Sequence, residues 1–216
     1  MKINRIAIPS NGYYYVGERA QTPSPVLIGL HGFAQRANDF LEAITPLAGD
    51  RFVPVAPQGF HQISRFPSRE VVFSWMSSFE KEDNIDRNNR FLEGILARLA
   101  ADGIASSEKA ILLGFSQGSS VAYRFAQAHP ERVAGIVSVC ADLPPDVKDD
   151  LGPLARIPVL IAYSPEDRRV GQEHPLSALD ALKSAGIDVE SFVFEGDHRV
   201  PSSLAGPLQS WADRLF

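Results

Sequence analysis

A serine bracketed by glycines, Gly114-Phe115-Ser116-Gln117-Gly118, follows the apolar run Ala110-Ile111-Leu112-Leu113 and precedes a helix-like segment, Ser119 to His129. Between a strand and a helix this spacing describes a turn too tight for side chains at its flanks, which suits Gly114 and Gly118. Such a turn lifts Ser116 Oγ above the sheet edge and aims the Gln117 N–H where an oxyanion would form. The chemistry on offer is nucleophilic attack on a carbonyl. The five residues alone also fit an ordinary glycine-bracketed turn, and it is their apolar flanks that favour a nucleophile.

A serine hydroxyl attacks poorly until an imidazole takes its proton, and that imidazole needs a carboxylate to hold its tautomer and stabilise its charged form. On this kind of turn the acid and then the histidine follow the serine in the chain. Of the five histidines, His31 and His61 precede Ser116, and His129 ends the following helix. His174 shares a connection with Asp167, where it would compete with the acid. His198, just past the last strand, is the base. Asp167 lies past the strand before it and is the acid, with Asp142, one strand earlier, as its competitor. Glu166 should point elsewhere. A second oxyanion donor is expected from the loop His31-Gly32-Phe33-Ala34, through the Phe33 N–H, with His31 holding the loop by hydrogen bonds.

The elements that must position these groups are legible in order. Residues 3–8 and 13–16 are β-like runs separated by Pro9-Ser10-Asn11-Gly12, an edge ribbon. Val26–Leu30 reads as a buried strand, 38–48 as a helix and 52–57 as a strand that its prolines draw out of the ladder early. Residues 59–84 form a long irregular stretch rich in aromatics (Phe60, Phe66, Phe73, Trp75, Phe79), expected to wall the pocket and form part of a lid, with two or three of the five in the core. A helical stripe spans 86–101, and strands follow at 109–115, 133–139, 157–162 and 189–194. Further helices fall at about 176–185 and at the C-terminus, where Leu204, Leu208, Trp211 and Leu215 form one stripe.

This alternation predicts one α/β domain over residues 1–216: a mostly parallel sheet with helices on both faces, entered through an antiparallel N-terminal ribbon and lacking a large cap domain. Ligands then bind beyond the carboxyl ends of the strands. The chain of 216 residues is 44% hydrophobic and 22% charged, with a net charge of −5. Its charges are mixed, with no basic stripe for nucleic acid and no polybasic run for a membrane surface. A single cysteine, Cys140, rules out an intramolecular disulfide and reads as a buried thiol. With no apolar leader and no run near ~18 apolar residues, the expected setting is cytoplasmic, without stable membrane insertion.

Taken together, Leu30-His31-Gly32-Phe33, Ala56-Pro57, Phe73-Ser74-Trp75, Gly114-Phe115-Ser116-Gln117-Gly118-Ser119, Asp167 and His198 resemble the phospholipase/carboxylesterase family of the α/β-hydrolase fold, the group that includes the acyl-protein thioesterases. The resemblance runs from about residue 25 to the C-terminus. It implies a Ser116, Asp167 and His198 triad, an oxyanion hole from Phe33 and Gln117, and Phe73 and Trp75 in the segment lining the acyl side of the pocket. It implies neither metal nor cofactor. Three turns depart from the family pattern: His31-Gly32-Phe33-Ala34-Gln35 where His-Gly-Leu-Gly-Asp is common, Ser164-Pro165 where His-Gly usually opens the acid turn, and Asp197-His198 where the family has Gly-His. The expected function is a serine esterase or thioesterase acting on a small-molecule ester with a small to medium acyl group. Alternatives are a lysophospholipase, a dienelactone-hydrolase-like enzyme (a group that typically carries cysteine at the elbow) and a non-catalytic binding protein on the hydrolase fold. A homodimer covering the 59–84 aromatics is compatible with catalysis.

Overall fold

Val26–Leu30, Ala110–Phe115 and Val133–Val139 carry apolar residues on both faces, which only a sheet covered on both sides can bury. The computed structural model describes residues 4, 6, 8, 10–18 and 22–215. In chain order these form β1 (Tyr14–Val16), β2 (Ser24–Leu30), α1 (Ala37–Ala48), β3 (Val53–Pro57), β4 (His61–Arg65), β5 (Glu70–Ser74), α2 (Lys81–Ala101), β6 (Ala105–Phe115), α3 (Gln117–Ala128), β7 (Val133–Val139), α4 (Pro145–Lys148), β8 (Val159–Tyr163), α5 (Glu173–Ser184), β9 (Val189–Val193) and α6 (Ala205–Ala212).

Seven strands make the main sheet in the order β1-β3-β2-β6-β7-β8-β9. All neighbours run parallel except β1, which pairs antiparallel with β3. The expected N-terminal ribbon is therefore an edge strand; its other arm, residues 3–8, falls partly outside the described residues. The pairing of β3 with β2 covers only Val53–Val55, in keeping with Pro54 and Pro57.

Alternation along the strands sorts the core into two layers. Val26, Ile28, Leu30 and Leu112 face Leu92, Ile95 and Leu99 of α2, Val121 and Phe125 of α3, and Leu182 of α5. Leu27, Ile111, Leu113 and Val137 face Phe40, Ile44 and Leu47 of α1 and Leu208 and Trp211 of α6. The sheet order reverses between β2 and β6: β3 lies to one side of β2, and everything after β5 in the main sheet lies to the other. At such a switch point the loops beyond the two strands part and leave a crevice.

The 59–84 stretch is not irregular. It folds as an antiparallel hairpin of its own, β4 against β5, in register from His61↔Ser74 to Arg65↔Glu70. Of its five aromatics Trp75 alone is fully buried, and Phe66 and Phe79 stand in solvent.

The turn from β6 into α3 is as tight as its glycines imply. A Cβ on Gly114 would sit 2.3 Å from Ser119 Cα, and one on Gly118 would sit 1.9 Å from the Leu30 carbonyl oxygen. Both obstacles are backbone and cannot yield. We expect Gly118→Ala to lose about 3 kcal/mol or more of stability together with activity. Gly94→Ala, on the open face of α2 with nothing within 4 Å, should gain about 0.5–1 kcal/mol. Thermal unfolding of the two variants checks the contrast, and equal melting temperatures would contradict it.

Candidate active site

Ser116 stands between β6 and α3 at φ 52 and ψ −117, a backbone conformation that a residue with a side chain adopts only under constraint. Its amide donates to Val139 O at 2.9 Å, and Ser119 Oγ donates to Gly114 O at 2.8 Å, so neighbouring β7 and the helix's own first turn hold the bend. The side chain opens into a cleft of about 380 Å³ lined by Gln117, Ser120, Leu143, Arg169, Val170 and His174 among others.

Histidine and acid meet at the same edge. His198, beyond β9, donates from Nδ1 to Asp167 Oδ2 at 2.8 Å, and both side chains are shielded from solvent. Burial works against the Asp167 charge. The His198 hydrogen bond and the amides of Val170 (3.1 Å) and Arg169 (2.9 Å) outweigh it and hold the carboxyl below its usual range. With Nδ1 committed as donor, Nε2 is the basic nitrogen. Among the described residues, neither His198 Nε2 nor Ser116 Oγ makes a hydrogen bond.

Asp142, the competitor, is elsewhere engaged. Its Oδ2 accepts from His174 Nδ1 at 3.0 Å and its Oδ1 from the Leu143 amide at 2.7 Å. His174 thus pairs with Asp142 on the cleft wall and does not contend for Asp167. Glu166, expected to point elsewhere, caps the Gly196 amide at 3.0 Å. Arg168 Nε donates to Asp197 Oδ2 at 2.9 Å. Three consecutive residues, Glu166, Asp167 and Arg168, therefore each reach across to the loop that carries His198. The sequence reading missed the outer two, and the alternating charges of Glu166-Asp167-Arg168 opposite Asp197-His198 were the available signal.

His31 does what was expected of it. Fully buried, it donates from Nδ1 to Gly32 O (2.8 Å) and accepts at Nε2 from the Gly59 amide and Gln58 Nε2 (both 3.0 Å). Burial lowers its pKa to about 4, so the ring is neutral. Beyond it the Gly32 amide donates to Gln35 Oε1 (2.7 Å). Among the described residues, the Phe33 amide makes no hydrogen bond, and the Gln117 amide, at the first position of α3, is likewise unpaired. Phe33 as a residue is 58% exposed.

The hairpin departs from expectation: it braces the loops instead of covering them. Ala34 N donates to Phe73 O (2.9 Å) and Phe73 N to Gln35 O (3.0 Å), while an Arg65 guanidinium nitrogen donates to Ala34 O (2.8 Å). On the other side the Gln117 side chain accepts from the Trp75 amide and donates to Ser74 Oγ, each at 3.0 Å. One hairpin so ties the Phe33 loop to the start of α3. Phe73 acts here through its backbone. Its ring is half-buried, whereas Trp75, expected to line the acyl side of the pocket, is enclosed. The Trp75 indole is 0% exposed, packs tilted against the His31 ring with centroids 4.9 Å apart and donates to His31 O (2.8 Å), leaving no surface for an acyl chain.

Cys140 is the buried thiol foreseen. It follows β7 behind the acid and the histidine, with Sγ and their ligand atoms within 4.8 Å of one another, and burial pushes its pKa up to about 12. A thiol held protonated is a poor nucleophile. Among the described residues, no helix is long and apolar enough to cross a membrane.

Comparison with known proteins agrees with this architecture. The sequence profile of the family described as Phospholipase/Carboxylesterase matches residues 11–210, and the chain belongs to that family. NocK of Nocardia uniformis subsp. tsuyamanensis, an esterase by name, is 30% identical over 121 residues, which cover 55% of this chain and 33% of that protein. The Bacillus cereus carboxylesterase superposes with a TM-score of 0.71 at 17% identity, covering 95% of each chain. Esterase PE8 superposes with a TM-score of 0.78 at 18% identity, covering 96% of this chain and all of the other. At these identities the superpositions establish the α/β-hydrolase fold.

The neutral His31 carries a pH dependence. Its folded pKa, about 4, lies below the ordinary 6.5, so between those values the unfolded chain binds the extra proton. The stabilisation is full above pH 6.5 and lost as pH falls towards 4, on the order of 3 kcal/mol. His31→Gln should be less stable than wild type at pH 7 and lose less on acidification. Equal acid slopes in denaturant unfolding would contradict this.

Proposed function

We propose that this member of the phospholipase/carboxylesterase family hydrolyses carboxylic esters and thioesters of small to medium acyl groups through an acyl-enzyme on Ser116. The observation that carries the reading is the His198–Asp167 hydrogen bond at the sheet edge that also bears Ser116 on its strained turn. Asp167 fixes the tautomer, so that His198 Nε2 is the nitrogen left to act as the base. Ser116 Oγ and His198 Nε2 come into hydrogen-bond contact when substrate binds, as such pairs commonly do only in the Michaelis complex.

Ser116 Oγ then attacks the carbonyl carbon as its proton passes to His198. Asp167 stabilises the imidazolium, and the unpaired Phe33 and Gln117 amides receive the oxyanion. His198 returns the proton to the leaving alcohol or thiol, then activates water against the acyl-enzyme. The cleft, about 380 Å³, has room for a small or medium acyl group. The cysteine alternative gains no support, since Cys140 lies off the elbow with its thiol protonated.

A p-nitrophenyl ester series from acetate to palmitate tests the proposal. Wild type should show a short- to medium-chain optimum. Ser116→Ala should lose about 10⁴-fold or more of kcat, and Asp167→Asn about 10³- to 10⁴-fold with its fold intact. Near-wild-type turnover by Ser116→Ala would refute it.

A further inference from the structure

Arginines crowd the loops that carry Asp167 and His198, and their side chains differ in what they are given to do. Arg168 is committed to Asp197, and Arg199 donates to the Glu195 carbonyl at 2.9 Å. Arg169 is held at its backbone, where its amide binds Asp167 Oδ1. Among the described residues, its guanidinium has no carboxylate partner, although the chain carries an acidic excess, the neighbouring Arg168 is paired with Asp197, and the cleft's Asp142 bonds His174. Arg169, a solvent-exposed residue, is among those lining the cleft that Ser116 opens into.

The rest of the cleft wall frames it. Leu143 and Val170 are apolar, suited to a short methylene spacer. Asp142 is the cleft's own acid, and it does not bond Arg169. One of its oxygens is taken by the Leu143 amide and the other by the His174 ring. A guanidinium offers five fixed donors, with a fork that matches a carboxylate in two parallel hydrogen bonds.

We propose that the cleft selects esters bearing a carboxylate at the end of a short spacer, and that Arg169 is the residue that reads it. The inference rests on the reading of Ser116 as a hydrolytic nucleophile and adds the class of substrate. The carboxylate can belong to the acyl part, as in the monoester of a short dicarboxylic acid, or to the alcohol part, as in the ester of a hydroxy acid. The recognising chemistry is the same.

Two matched pairs separate these sources: mono-p-nitrophenyl glutarate against p-nitrophenyl valerate, and 4-butyryloxybutanoate against butyl butyrate, each corrected for spontaneous hydrolysis. In wild type the anionic member of one pair should be favoured at least tenfold in kcat/KM, chiefly through KM, and the preference should shrink as salt is raised. Arg169→Gln should bring that ratio to within about twofold of unity, and Arg169→Lys should keep part of it. Because the Arg169 amide touches Asp167, a disturbed acid would slow both members alike and leave the ratio unmoved. A wild-type ratio near one with Ser116-dependent turnover of the neutral esters overturns this proposal and leaves the hydrolase standing. So does a ratio that survives Arg169→Gln. Absence of Ser116-dependent turnover in both pairs overturns the two together.

Discussion

The approach of α3 to β2 is the constraint on which the site is built. At Gly118 the helix passes so near the Leu30 carbonyl that no side chain fits between them, and the chain can reverse there only because Ser116 accepts φ 52. That contact sets where the hydroxyl stands. It also brings the start of α3 beside the loop after β2, so that the two unpaired amides, of Phe33 and Gln117, belong to adjacent segments. Strain of order 1–3 kcal/mol at such a residue is held in place by the packing around it, and buried Cys140, at φ 51 just past β7, adopts a left-handed backbone of its own.

What the elbow begins, pairs of loops complete. The acid loop and the histidine loop are joined by three contacts side by side, with the buried Asp167–His198 bond in the middle and solvent-facing Glu166–Gly196 and Arg168–Asp197 contacts flanking it. The hairpin β4–β5 plays the matching part on the opposite side, tied by backbone and Arg65 to the Phe33 loop and by Ser74 and Trp75 to Gln117. His31 anchors this half from beneath, at the cost of being a buried imidazole that must stay neutral.

The tight turn at Ser116, the meeting of Asp167 with His198 and the loop after β2 could be read from the chain because each is announced locally, by glycines at a turn or by a polar residue just past an apolar strand. Strand positions were legible for the same reason, since a doubly covered strand shows as an unbroken apolar run. The hairpin was not, because β4 and β5 stand outside the main sheet and their residues, from His61-Gln62-Ile63 to Val71-Val72-Phe73, show too short an alternation to stand out. Trp75 misled as an aromatic near the site, whereas burial and its N–H fix it as a prop for His31. The Asp142–His174 pair and the Gln117 side-chain contacts join residues 32 and about 42 positions apart, and no local signal reports such partnerships.

The central claim is that these loops turn Ser116 into a nucleophile that carries the acyl group. Its most direct test is to quench the enzyme with acid during turnover of a p-nitrophenyl ester and locate any added acyl mass by peptide mass spectrometry. The account requires the acyl group on the peptide containing Ser116, at the hydroxyl itself. Turnover with that peptide unmodified, or with the acyl group on another residue, would contradict it.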